Sequence, residues 1–126
     1  MKRKLLVLLF TGIILSGCST IAENSLESGK GSMELLTPTI TTKDNKLEIK
    51  TEGIDENKVT FIYVANKKVW EQKIKNGEPY KLNIKDIEHA HRTDYKPRVQ
   101  LVQTKDDHTD GEMVTFKQVR YTVKKN

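Results

Sequence analysis

The sequence has one cysteine, three prolines and one tryptophan in 126 residues, and its longest apolar run is too short to cross a bilayer. Each scarcity excludes something. A single cysteine allows no intrachain disulfide, so the fold rests on packing alone. The apolar run from Leu5 to Leu15 is about 11 residues, where a membrane-spanning helix needs about 20. Aromatics make up 6% of the chain and the charges are interspersed. That pattern lacks the basic, aromatic-studded face of a nucleic-acid binder, and no nucleic-acid partner is expected. No Gly-x-Ser-x-Gly elbow or phosphate-cradling glycine loop is present.

The N-terminus has a basic start (Lys2, Arg3, Lys4), then the apolar run, then small residues. This three-part order is that of an export signal, expected over residues 1–17. Without it, 109 of the 126 residues remain, which suits one domain and not two. Loss of Lys2, Arg3 and Lys4 leaves 19 Lys and Arg against 17 Asp and Glu, so the mature chain is near +2.

Leu15-Ser16-Gly17-Cys18 stands directly after the apolar run. An aliphatic residue, two small residues and a cysteine in this position resemble the lipobox of bacterial lipoproteins of Gram-positive type. The resemblance implies a diacylglyceryl group on the Cys18 sulfur and cleavage by a signal peptidase that recognises Leu15, Ser16 and Gly17. It also implies a location on the extracytoplasmic face of the cell membrane, with the anchor itself as the membrane contact. Two acyl chains hold firmly, since each buried CH₂ contributes about 0.8 kcal/mol. Ser, Gly, Glu, Lys and Asn dominate the next stretch, and residues 18–37 read as the lipidated N-terminus and a flexible tether.

Beyond Pro38 the pattern changes to period two. Leu47, Ile49 and Thr51 alternate with charged residues, and Tyr80, Leu82 and Ile84 with Lys81, Asn83 and Lys85. Val59 to Ala65 is apolar in both phases, as a central strand covered on both sides should be. Asn66-Lys67 reads as the hairpin connection leading to Trp70, and Asn76-Gly77 as a second turn. Residues 86–92 read as a short crossing helix. Residues 95–105 and 113–124 are the last two strands; a bulge near Lys117-Gln118 would bring Val114, Phe116, Val119, Tyr121 and Val123 to one face, and without it the final stretch is two strands. Six or seven short strands in residues 38–126 make an all-β, antiparallel sandwich. The stretch Tyr95-Lys96-Pro97-Arg98-Val99-Gln100-Leu101, followed by Tyr121-Thr122-Val123, is similar to the last two strands of immunoglobulin or fibronectin type III modules. The resemblance implies an Ig-like sandwich in which Tyr95 ties the corner between the sheets.

His89, His91 and His108, with Asp106, Asp107 and Asp110, would form a metal site only if two loops met. The spacing matches no ligand ladder, so no metal and no cofactor is expected. Tyr63, Trp70, Tyr80 and Tyr95 lie in alternating segments and read as sheet filling rather than a sugar platform. Leu9-Phe10-Thr11-Gly12-Ile13-Ile14-Leu15-Ser16-Gly17 is similar to the sex-pheromone peptides that Gram-positive bacteria release from lipoprotein signals. The same stretch is similar to lipoproteins of staphylococcal plasmid conjugation regions. The sequence therefore leads to a non-catalytic surface lipoprotein that binds a protein or envelope component, in a setting such as conjugative transfer or surface assembly. The alternatives are a pheromone precursor and a small metal-dependent or carboxylate hydrolase.

Overall fold

Alternation decides which residues form the core. In β3 (Lys46–Glu52) Leu47, Ile49 and Thr51 are buried while Lys46 and Glu52 face water. The computed structural model describes residues 27–125, and among them every regular element is a strand. β1 (Ser32–Leu35), β3 and β6 (Tyr80–Asn83) form one antiparallel sheet in the order β1-β3-β6. β4 (Thr60–Val64), β5 (Lys67–Gln72), β7 (Arg98–Thr104) and β8 (Met113–Arg120) form the other, in the order β5-β4-β7-β8. β2 (Thr39–Thr41) leaves the first sheet and pairs in parallel with β9 (Thr122–Lys124). Two sheets with strands 1, 3, 6 against 5, 4, 7, 8 give the all-β sandwich expected from the sequence.

The strand count is nine, not six or seven. Two of the additional strands, β1 and β2, begin before or just after Pro38, so the folded body starts inside the segment read as tether. The third arises because β8 stops at Arg120 and β9 resumes after Tyr121.

The core joins Leu47, Ile49 and Leu82 from one sheet to Ile62, Val64, Val99 and Leu101 from the other. Ile74, Ile84, Ala90, Tyr121 and Val123 fill the ends. Full burial of a Leu or Ile side chain contributes about 1.5–3 kcal/mol, and this set replaces the missing disulfide. β4 is buried in both phases, as expected of a central strand: Ile62 and Val64 join the core cluster, while Phe61 lies outside it with the Lys68 Nζ 5.8 Å from its ring centroid.

Three local expectations shift. The β4–β5 turn is Ala65-Asn66, one residue earlier than expected, because both adopt the positive φ (49° and 70°) of a two-residue hairpin loop. Residues 86–92 form successive turns and no helix; Ile87 N donates to Ile84 O and Ala90 N to Ile87 O. The bulge of the last hairpin falls between Gln103 and Thr104, opposite Val114, and not at Lys117-Gln118. Val119 therefore reaches the core while Phe116, in unbroken register with Val102, stays on the outer face.

Candidate functional site

Cys18 and its recognition residues Leu15, Ser16 and Gly17 lie outside the described residues, as does the pheromone-like stretch of residues 9–17. The corner tyrosine is corrected by the structure. Tyr95 is 46% exposed, and it is the buried Tyr121 whose hydroxyl donates to the Ala90 carbonyl at 2.6 Å. The reason is phase: Tyr121 continues the inward series toward Val123, whereas Tyr95 precedes β7 in an exposed loop. Burial pushes the Tyr121 phenol pKa up, with a smaller contribution from Tyr95.

The two histidine-bearing loops sit at opposite ends of β7 and do not meet. His91 Nε2 lies 2.6 Å from the Asp44 carbonyl oxygen, and His89 faces Glu88 at 3.4 Å. At the other end Asp106 Oδ1 accepts from His108 N, and Asp107 Oδ1 accepts from Val59 N. Asp106 thus shapes its own loop, and Asp107 ties that loop to the residue before β4. Among the described residues no three His, Cys, Asp or Glu side chains converge as a metal site would need. Trp70 and Tyr80 pack on each other, ring centroids 5.3 Å apart and edge to face, with Trp70 Nε1 donating to Gln72 O.

A feature with no sequence periodicity lies at the N-terminal end of the described residues. Residues 27–31 run antiparallel along the free edge of β8 as a strap. Ser28 and Phe116 exchange both backbone hydrogen bonds at 3.0 Å, and Gln118 N donates to Glu27 Oε2 at 3.0 Å. The Lys117 side chain, on the buried side of β8, donates to the Gly29 carbonyl at 2.9 Å. Gly29 is required there: its φ is +79°, and a Cβ would come within 2.6 Å of the Val114 carbonyl oxygen. Gly31, at φ +87°, then turns the chain past Gly53 into β1. The strap covers an edge that would otherwise offer unpaired backbone groups.

The hairpin turn, the loop before β7 and the first residue of β7 build a shallow cleft lined by Ala65, Asn66, Tyr95 and Arg98. β7–β8 register sets Arg98 opposite Arg120, and Arg120 Nη1 donates to Lys96 O at 2.7 Å. The Arg92 guanidinium stacks 4.7 Å from the Tyr95 ring centroid and pairs with Asp94. That hydrogen bond lowers the Asp94 pKa and raises that of Arg92. Arg98 is exposed, and none of the ion pairs among the described residues involves it. Arg92, Lys96, Arg98 and Arg120 thus lie at one end of the sandwich, with Arg92 paired to Asp94 and Arg120 held to the Lys96 carbonyl. Arg92, Lys96 and Arg98 are close in sequence, and β7–β8 register adds Arg120 to them.

Comparison with known protein families, with curated proteins and with solved structures finds no match for the chain.

Proposed function

We propose that the protein is a surface lipoprotein whose diacylglyceryl group on Cys18 holds a non-catalytic, Ig-like binding module on the extracytoplasmic face of the membrane. The observation that carries this reading is the sequence Leu15-Ser16-Gly17-Cys18 at the end of an apolar run, with the cysteine unique in the chain. Support comes from the domain behind it, where rigid strands carry an exposed surface and the chain is strapped to the sheet from Glu27 onward. Its partner is a protein or envelope component met outside the cell, in surface assembly or conjugative transfer. Growth with radiolabelled palmitate tests the anchor: the wild-type protein takes up label and Cys18→Ala does not. Label retained by Cys18→Ala, or missing from the wild type, overturns the reading.

A further inference from the structure

We propose that the basic corner around Arg98 faces anionic lipid headgroups, so that the protein stands on its membrane with the opposite, acidic loops outward. This rests on the lipid anchor at Cys18 and adds an orientation to it.

Charge supplies the first argument. The loops at one end of the sandwich, residues 53–59, 73–79 and 105–112, carry seven carboxylates (Asp55, Glu56, Glu78, Asp106, Asp107, Asp110, Glu112) and four lysines. At the other end, Arg92, Lys96, Arg98 and Arg120 cluster, and Lys67 follows Asn66 in the adjoining hairpin. Of the carboxylates near that end, Asp94 is paired with Arg92 and Asp44 accepts from Thr41 N, while Glu27 at Gln118 and Glu88 beside His89 are outnumbered by the cations around them. Asp86 remains, against Lys43 and Lys85 in the same two loops. The net charge near +2 thus conceals a molecule with one basic corner and one acidic end, which orients in the field of a charged surface.

The second argument is the surface chemistry of the corner. An exposed guanidinium and a half-exposed tyrosine share the cleft. Tyrosine rings settle at headgroup depth, with the ring body toward the acyl boundary and the hydroxyl in water. Arginine donates a fork of N–H groups that matches phosphate oxygens.

The third argument is the path of the chain. The strap is antiparallel to β8, so its first described residue, Glu27, lies at Gln118, on the half of β8 that leads to Arg120 and the basic corner. Residues 19–26 are all that separate Cys18 from Glu27, and this length reaches about 30 Å when fully extended. The described chain therefore begins on the basic side of the fold, within about 30 Å of extended chain from Cys18.

The test uses the mature lipidated protein in vesicles of phosphatidylcholine with or without phosphatidylglycerol. With Cys18 acylated, a second cysteine is the single labelling position, so Thr93→Cys at the basic end and Thr109→Cys at the acidic end each carry a fluorophore. Headgroup spin-labelled lipid is the quencher. In phosphatidylglycerol vesicles the label at 93 is expected to be quenched several-fold more than the label at 109. Arg98→Gln combined with Lys67→Gln should reduce the difference, as neutralising a surface-bound cation weakens attraction about fivefold. Raised salt on the unaltered charges should do the same if the variant fails to fold. Equal quenching at both positions, or stronger quenching at 109, overturns the orientation alone. Failure to associate with vesicles without detergent overturns the anchor and the orientation together. Quenching at 93 that appears only with concentration-dependent cross-linking assigns the corner to the acidic end of a second copy, and also overturns the proposal.

Discussion

The two open sides of the sandwich are closed by different means. Between β5 and β6 the seal is made of rings: Trp70 and Tyr80 meet edge to face, and the Tyr80 hydroxyl accepts from Lys75 N at 2.9 Å. Both rings come from neighbouring strands in the chain, so this closure forms from local contacts. Between β8 and β1 the seal is made of backbone, with residues 27–31 laid along β8 and pinned by Lys117. Here the partners are nearly ninety positions apart, and the geometry depends on glycines at positive φ. Side-chain area closes one side with tolerance for small change, whereas the other side has almost none.

Breaking the backbone seal should have the largest effect. Gly29→Ala puts a methyl into the Val114 carbonyl and forces a side chain into left-handed backbone. Urea unfolding should show a loss of about 3 kcal/mol, or separate loosening of the strap with fast amide exchange at Ser28 and Phe116. Unchanged stability and exchange would mean that the strap contributes nothing. Trp70→Ala on the other side should cost about 2 kcal/mol, since the half-buried ring loses its contact with Tyr80 but leaves no sealed cavity.

Tyr121→Phe sharpens the comparison, because it acts at the end that both sheets share. It leaves the Ala90 carbonyl without its hydroxyl partner and should cost about 1–2 kcal/mol near neutral pH. The pH dependence follows from the raised phenol pKa. The folded state holds the proton more tightly than the unfolded one, so the contribution is complete below about pH 10, the unfolded value, and declines as pH rises toward the folded one. Stability curves of wild type and Tyr121→Phe should therefore converge as pH rises above about 10; parallel curves would contradict the burial of this phenol. The smallest effect belongs to Lys105→Ala, which breaks a 3.4 Å pair with Glu112 whose side chains are 70% and 71% exposed. No change in Tm is expected, as such pairs are screened by water.

Strand alternation made the core legible before any coordinates. Leu47 and Ile49, Leu82 and Ile84, and the doubly apolar β4 all occupy the positions their period demands. Tyr121 was legible too, though it was passed over for Tyr95: a tyrosine in phase with Val123 must bury its hydroxyl, and a buried hydroxyl requires an acceptor. The strap was not legible. Its residues are small or polar, the composition of a tether, and only the unpaired edge of β8 gives them somewhere to bind. β1 was obscured in the same way, since Met33 and Leu35 offer two apolar positions and no turn signal of their own. As for the candidate site, the lipobox-like string is local and is read directly, while Arg120 joins Arg92, Lys96 and Arg98 only through strand register.

The antiparallel lie of the strap also sets how the molecule bears load. With Cys18 anchored as proposed, a pull on the domain would be transmitted through Glu27, and the first bonds in its path are the Ser28–Phe116 pair and the Gln118–Glu27 contact. These few bonds open one after another, while the sheets behind them, held by β1–β3 and β2–β9 pairing, stay closed. The strap thus works as a weak link in series with the anchor, lengthening the leash under tension before the sandwich itself is strained.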